Sequence, residues 1–594
     1  MIHGDTRRSG DKLGDFTTDN RVILLSAITV GIGCVSAFVA YILLWLIAVI
    51  TNFSFFGRFS SSSVTPGRSH LGLWLVLIPA VGGLIIGLMA RYGSDKIRGH
   101  GIPEALEAIL LGQSKIEPKV AILKPLSSAI SIGTGGPFGA EGPIIMTGGA
   151  CGSLLAQFFH LSSAERKTLL VAGAAGGMAA VFGTPAAAVL LAVELLLFEW
   201  KPRSLIPVAF ASIAAAAVRV PLLGAGPIFP VTAHAALGAA GLGYACVVGL
   251  LAGLGSGLLT KMVYWFEDLF PHLKIHWMWW PLIGGVCVGI GGLIDPRVLG
   301  VGYGTIHSLL NGQILGMAAL SLLLTKSVVW SLSLGSGTSG GVLAPLLMMG
   351  GALGSLAGQV IPVGTPGLWA MVGMAAVMGG TMRSPFTAVV FTLELTYDIR
   401  TLPALLVACI ASELVTVLWL RRSILTEKVA RRGHHLSREY AVDPFEIHRI
   451  SEIMLTDYSS VEASTPVSEL RNPAFPGFSW FAERRAMPIV DARDRVVGIV
   501  TQGDYLRAAT MADGLSLSVL EAGTRNLVTI EEDEVVRAAV VKLLRANIER
   551  IIVVNPDEPT QAVGFLDRST VMDAQLRWYE EEHVRERPRR LFAT

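Results

Sequence analysis

GAEGPIIMTGGACGSL (residues 139–154) comes back further along the chain as GVLAPLLMMGGALGSL (residues 341–356). From proline to leucine, eight of twelve positions are identical at a constant offset of 202. A duplicated apolar segment whose copies open with Gly and Pro points to an ion site between two halves of a membrane body. Only the first copy carries an acid, Glu141; its counterpart is Leu343. That asymmetry marks Glu141 as the expected gate. Two further matches keep the same order. GHGIP (99–103) pairs with GVGYG (300–304) at an offset of 201, and PAAAVLLAVEL (185–195) with PFTAVVFTLEL (385–395) at 200. A duplication of about 200 residues follows; an odd number of crossings per half would invert the copies.

Composition agrees with a membrane body. The chain of 594 residues is 52% hydrophobic and 15% charged, with a mean hydropathy of +0.58. That is too apolar for a soluble protein of this length. Charge is concentrated at the end, where residues 441–594 hold 43 of the 92 Asp, Glu, Lys and Arg. The fold class is therefore an all-α polytopic membrane bundle of tilted and broken helices, followed by an α/β domain. The net charge of +2 gives no reason to expect nucleic acid. Residues 1–21 are polar and the first apolar run, Val22 to Ile50, exceeds a signal-peptide core. Cys34, Cys151, Cys246, Cys287 and Cys409 all lie in apolar segments without metal-ligand spacing, so buried small apolar residues are expected rather than disulfides. No Cys/His/Asp constellation or phosphate loop supports an enzyme.

The expected organisation is an N-terminal tail (1–21) and a membrane domain (22–433) with repeats near 22–222 and 237–425. A linker (434–448), two small modules (449–508 and 520–580) and a charged tail (581–594) complete it. Two apolar runs are long enough to cross a bilayer tilted, and many others fall short of the ~20 residues a perpendicular span needs. Arg91, Lys96 and Arg98 in one short loop, and Arg421, Arg422, Arg431 and Arg432 after the last apolar segment, place both regions and both termini in the cytoplasm by the positive-inside rule. Each module reads helix, strand, turn (Asp491–Asp494 or Asn555–Pro559), strand, helix. His434 and His435 in the basic linker read as solvated.

GHGIP, GAEGP and GGVLAP (340–345), in that order and spacing, resemble the CLC family of chloride channels and chloride/proton antiporters, over about residues 25–435. The tail resembles a tandem pair of CBS modules. The resemblance implies a homodimer in a lipid bilayer, here a bacterial inner membrane, with one pore per subunit and no required cofactor. Chloride, and in some members protons, are transported. The physics of the motifs agrees. A glycine run before an apolar helix gathers unpaired backbone N–H groups and the positive end of the helix dipole at one point. Such a point binds an anion without a full charge. Backbone N–H groups at Gly101, Ile102, Val342 and Leu343 are the expected ligands; the alternative is that these glycines only permit close helix packing. In the family the glutamate matching Glu141 is both gate and proton acceptor.

Departures from the family pattern shape the functional expectation. His100 stands where relatives usually have Ser, either as an anion ligand or packed in its loop. Leu425 stands at the family's anion-contacting tyrosine, and Ala140 where relatives often have Arg or Lys. The inner proton-relay glutamate of antiporters falls at Leu195. Glu194, one residue earlier, is a proton-pathway candidate, but its repeat mate Glu394 favours a structural role for both. The reading leans to channel-like or weakly proton-coupled chloride conduction gated by Glu141. The alternatives are a chloride/proton antiporter and, from another class, a membrane-anchored nucleotide sensor that transports nothing. Thr501 and Asp504 form the Thr-x-x-Asp step by which CBS modules hold an adenosine ribose, which leaves two readings open, one adenine nucleotide site at Thr501 and Asp504 and a purely structural dimerising module. Asp567-Arg568-Ser569-Thr570 in the second module lacks the acid at the matching place.

Overall fold

A computed structural model describes residues 20–69, 71–110, 114–159, 161–432, 445 and 448–583. His434, His435, most of the linker, residues 1–19 and those after 583 lie outside the described residues. The rest falls into two compact units divided between residues 440 and 441.

In the first unit, the first repeat runs α1 (Arg21–Phe56), α2 (Leu77–Tyr92), α3 (Ile102–Leu110), α4 (Pro118–Gly133), α5 (Glu141–Ala156), α6 (Ser163–Phe182), α7 (Pro185–Leu191) and α8 (Pro202–Leu223). The second answers it element by element with α9 (Ala239–Leu269), α10 (Trp280–Ile294), α11 (Tyr303–Leu310), α12 (Gly316–Gly335), α13 (Leu343–Gly358), α14 (Pro366–Met382), α15 (Pro385–Thr396) and α16 (Leu402–Trp419). A short helix α17 (Ile424–Arg431) follows. Among the described residues, seven helices are long and apolar enough to cross a membrane, against two marked by apolar runs alone. Helices such as Gly72–Tyr92, Pro202–Leu223 and Gly316–Gly335, of 21, 22 and 20 residues, just reach the length of a perpendicular crossing; Ser and Thr are accommodated inside the helices. Their hydroxyls donate back to the preceding turn, as in Ser212 to the Val208 carbonyl (3.0 Å) and Thr260 to the Ser256 carbonyl (2.8 Å).

Small residues decide how the helices meet. A Cβ on Gly148 of α5 would strike the carbonyl of Gly173 on α6, and a Cβ on Gly173 that of Gly148. In the second repeat Gly350 of α13 and Gly373 of α14 block each other in the same way. Between repeats the pattern is reciprocal: Gly83 of α2 lies against the carbonyl of Pro281, and Gly285 of α10 against that of Pro79. Residues 83 and 285, like 79 and 281, are 202 apart, so a local two-fold relates the copies. α5, α6, α13 and α14 form the buried centre. Of the cysteines, Cys409 is buried and the other four are only partly so; the apolar runs named the segment but not the helix face.

The second unit holds two three-stranded sheets. β1 (Val461–Glu462), β2 (Ala486–Val490) and β3 (Val496–Thr501) form one, and β4 (Thr529–Glu531), β5 (Arg550–Val554) and β6 (Ala562–Asp567) the other. In each, the first strand pairs parallel to the second and the second antiparallel to the third. β1 and β4 were not expected: at two and three residues they carry too little alternation to register. Each sheet has its own apolar core, around Met487 and Ile489 in one and Ile551 and Val553 in the other.

Gly148→Val is expected to destabilise the membrane unit by overpacking, at about 1–3 kcal/mol or more. Gly31→Val, whose added carbon would meet nothing within 4 Å, should leave the melting temperature in detergent nearly unchanged.

Candidate anion site

The two signatures meet head to head. Gly139 N–H donates to the Gly341 carbonyl (3.2 Å) and Gly341 N–H to the Gly139 carbonyl (2.8 Å), an antiparallel bridge between equivalent residues of the two repeats. α5 and α13 start immediately beyond it. Neither glycine tolerates a side chain. A Cβ on Gly341 would stand 2.5 Å from Glu141 Oε1 and 2.7 Å from the Gly139 carbonyl. The GHGIP loop joins them through Gly99, whose N–H donates to the Thr338 carbonyl (3.0 Å). Gly101, at φ 90°, lies flat against the backbone of Gly142. The tips of α3, α5 and α13 thus converge.

Glu141 is fully buried. Its carboxylate crosses to the other repeat, where Oε1 accepts a short hydrogen bond from Leu343 N–H and a second, at 3.3 Å, from Ala344 N–H. Hydrogen bonds to a charged acceptor contribute about 1.5–3 kcal/mol each, and the α13 dipole adds to them. The acid of one repeat therefore sits on the N–H groups of the other repeat's helix tip. Oε2 has no partner among the described residues. Val342 and Leu343 are buried at this tip, and Ile102 is buried at the start of α3. Gly101 differs from expectation: its N–H donates to Glu104 Oε2 at 2.7 Å, so the third residue of α3 caps its own helix and takes up that donor.

Positive charge supports the loops from behind. Lys124, fully buried, donates to the carbonyls of Ile97 (2.8 Å) and Gly99 (2.7 Å). Its equivalent Lys326, also buried, reaches those of Val298 (2.7 Å) and Gly300 (3.5 Å). Sequence reasoning missed both, although a lysine repeated at offset 202 inside apolar helices was the available signal. Lys428 of α17 pairs with Glu104 at 2.8 Å. His100 is buried with Nδ1 unpartnered, among Lys428, Glu104, Lys124 and Arg432. Leu425 is buried at the start of α17, next to Ile424, whose carbonyl accepts a short hydrogen bond from the Tyr264 hydroxyl.

Glu194 and Glu394 are reciprocal helix caps. Glu194 accepts from Thr387 N–H (2.8 Å) and its hydroxyl (2.5 Å) at the start of α15. Glu394 accepts from Ala186 and Ala187 N–H (3.0 and 2.8 Å) at the start of α7. Leu195 is fully buried. In the tail, Asp504 is buried and accepts from Thr501 N–H (2.8 Å) and its hydroxyl (2.7 Å), while Thr501 accepts from Asp504 N–H (3.3 Å). Arg507 pairs with the remaining oxygen. Both side chains thus close a capping box on helix Gln502–Ala509. The second module does have an acid, with the order reversed: Asp567 accepts from Ser569 and Thr570 hydroxyls (2.5 and 2.9 Å) and Thr570 N–H (2.8 Å).

Comparison with known proteins agrees with this geometry. Residues 82–417 match the voltage gated chloride channel family, and residues 450–510 and 519–577 each match the CBS domain. The voltage-gated ClC-type chloride channel ClcB of Escherichia coli is 30% identical over 385 residues, covering 63% of this chain and 91% of the relative. Among solved structures, a slow cyanobacterial Cl−/H+ antiporter superposes with a TM-score of 0.62 at 20% identity, covering 70% of this chain and 99% of the other. A eukaryotic CLC transporter gives 0.58 at 19% identity, covering 93% and 98%. The two solved structures speak for the fold. With the family match spanning more than half of the sequence and the three motifs gathered at one point, the chain belongs to the CLC family of voltage-gated chloride channels and transporters and carries a C-terminal CBS pair.

Proposed function

We propose that the chain conducts chloride, as a homodimer with one pore per subunit, through the helix tips described above, and that Glu141 is the gate. The observation that carries this reading is the Glu141 carboxylate on the Leu343 and Ala344 N–H groups. A carboxylate seated where a halide would sit is a competitive plug, and its protonation removes the charge that holds it there. Leu343, Ala344, Val342 and Ile102 supply the dipolar surface in this account. His100 faces the same loop from within, while Leu425 presents no hydroxyl to the path.

Conduction that is passive or weakly coupled to protons is favoured over tight antiport. Leu195 has nothing to titrate, and Glu194 is engaged as a cap on α15. The antiport alternative would draw on Glu104, which borders a cleft lined also by Arg98, Glu107, Met146 and Arg432. The membrane-anchored sensor without transport is disfavoured, because it has no use for an acid on the opposite repeat's helix tip. We further propose an inner-membrane location with the basic loops and both termini in the cytoplasm, and a structural rather than ribose-holding role for Thr501 and Asp504.

Reconstituted in liposomes with chloride and pH electrodes read together, the protein should pass chloride with little accompanying proton movement; uphill proton flux driven by chloride would establish the antiporter. Glu141→Gln should raise chloride flux several-fold and flatten its pH dependence, and unchanged flux and pH response would remove the gate assignment. Thr501→Ala, which removes the N-cap of helix Gln502–Ala509, should cost about 1 kcal/mol of stability in the tail, seen as a lower melting temperature without any dependence on added ATP, AMP or adenosine.

A further inference from the structure

Among the described residues, Glu141 Oε2 and the Tyr303 hydroxyl oxygen are buried near the meeting of the repeats without a hydrogen-bond partner. A buried group left without a partner is costly, and each such case asks for a reason. Tyr303 opens α11 and is the repeat equivalent of Ile102, at an offset of 201. Its ring is clamped edge-on by Phe182 (centroids 6.4 Å apart) and Phe229 (5.8 Å), with Phe391 behind Phe182 at 5.1 Å. These aromatic walls fix the phenol and offer its hydroxyl no acceptor. Among the described residues, Glu141 is the carboxyl whose charge acts on this phenol. His100 Nδ1 is also unpartnered, but the charges around it are Lys428, Glu104, Lys124 and Arg432.

The two lone groups are chemically complementary. A phenol donates to a carboxylate and accepts from a protonated carboxyl, so it can hold Glu141 in either state. We propose that Tyr303 is a positioning residue for the gate: when the Glu141 carboxyl leaves the Leu343 and Ala344 N–H groups, it docks on the Tyr303 hydroxyl, leaving the α13 tip free for the anion. This rests on the gate reading and adds a defined resting place for the released side chain. Without that place the carboxyl falls back onto the helix tip, and the open state is less populated. Ile102, at the equivalent position, has no hydroxyl, just as Leu343 has no carboxyl. The latch therefore exists on one side of the two-fold only.

The test is chloride flux of the full-length protein in liposomes, measured from acid to neutral pH, for the native chain, Tyr303→Phe, Glu141→Ala and the double variant. Tyr303→Phe keeps the aromatic clamp and removes only the hydroxyl. It should lower flux about fivefold, the worth of one ordinary hydrogen bond, and move the pH profile toward acid. In the Glu141→Ala background the same change should alter neither flux nor profile, and the double variant's flux reports that the fold is intact. An unchanged native profile, or an equal loss in both backgrounds, would overturn the proposal, the latter by making Tyr303 an anion ligand or a packing residue. Failure of Glu141→Ala to raise flux would instead sink the gate reading itself.

Discussion

The structure depends on one reciprocal interaction, the pair of hydrogen bonds exchanged by Gly139 and Gly341. Two equivalent residues can exchange bonds in this way only across a local two-fold, and that two-fold sets everything near it. It brings the starts of α5 and α13 face to face, so that both helix dipoles point their positive ends at one small volume. It also demands glycine, because any side chain would fill the space that the carboxylate occupies. Backbone is tolerated at membrane depth only where protein buries it or a cavity lines it. Here the broken stretches satisfy one another across the repeats.

The symmetry is used unequally. Buried lysines brace both loops, and capping glutamates cross in both directions; these paired features build the scaffold. Glu141 has no acidic counterpart in the second repeat, where Leu343 stands, and the phenol of Tyr303 has none in the first, where Ile102 stands. In the proposed reading, the features that break the two-fold lie where an anion would pass. A site made of N–H dipoles with lysines one layer behind it attracts an anion without trapping it, which a contacting ammonium would do.

The fold was largely legible because duplication leaves a trace that periodicity does not. Three matches at offsets of 200–202 identified the repeat, and Gly-Pro openings identified the tips. Crossing helices were undercounted because several, such as Gly72–Tyr92 and Gly316–Gly335, have 21 and 20 residues, close to the shortest perpendicular span. The direction of the Glu141 side chain could not be read from its motif, since its partners lie 202 and 203 residues away. The GHGIP motif ends at Pro103 and by itself leaves the Gly101 N–H free, whereas Glu104, one residue on, takes that donor. Thr501 and Asp504 matched a ribose-binding spacing that is equally the spacing of a capping box, and the structure shows the capping box closed.

The most direct measurement of the central claim is the position of bromide, located by anomalous scattering in crystals of the native protein and of Glu141→Ala. The account predicts no bromide on the Leu343 and Ala344 N–H groups while the native carboxylate is seated there, and a strong peak at that point once it is removed. Bromide on those groups in both crystals, or in neither, would contradict it.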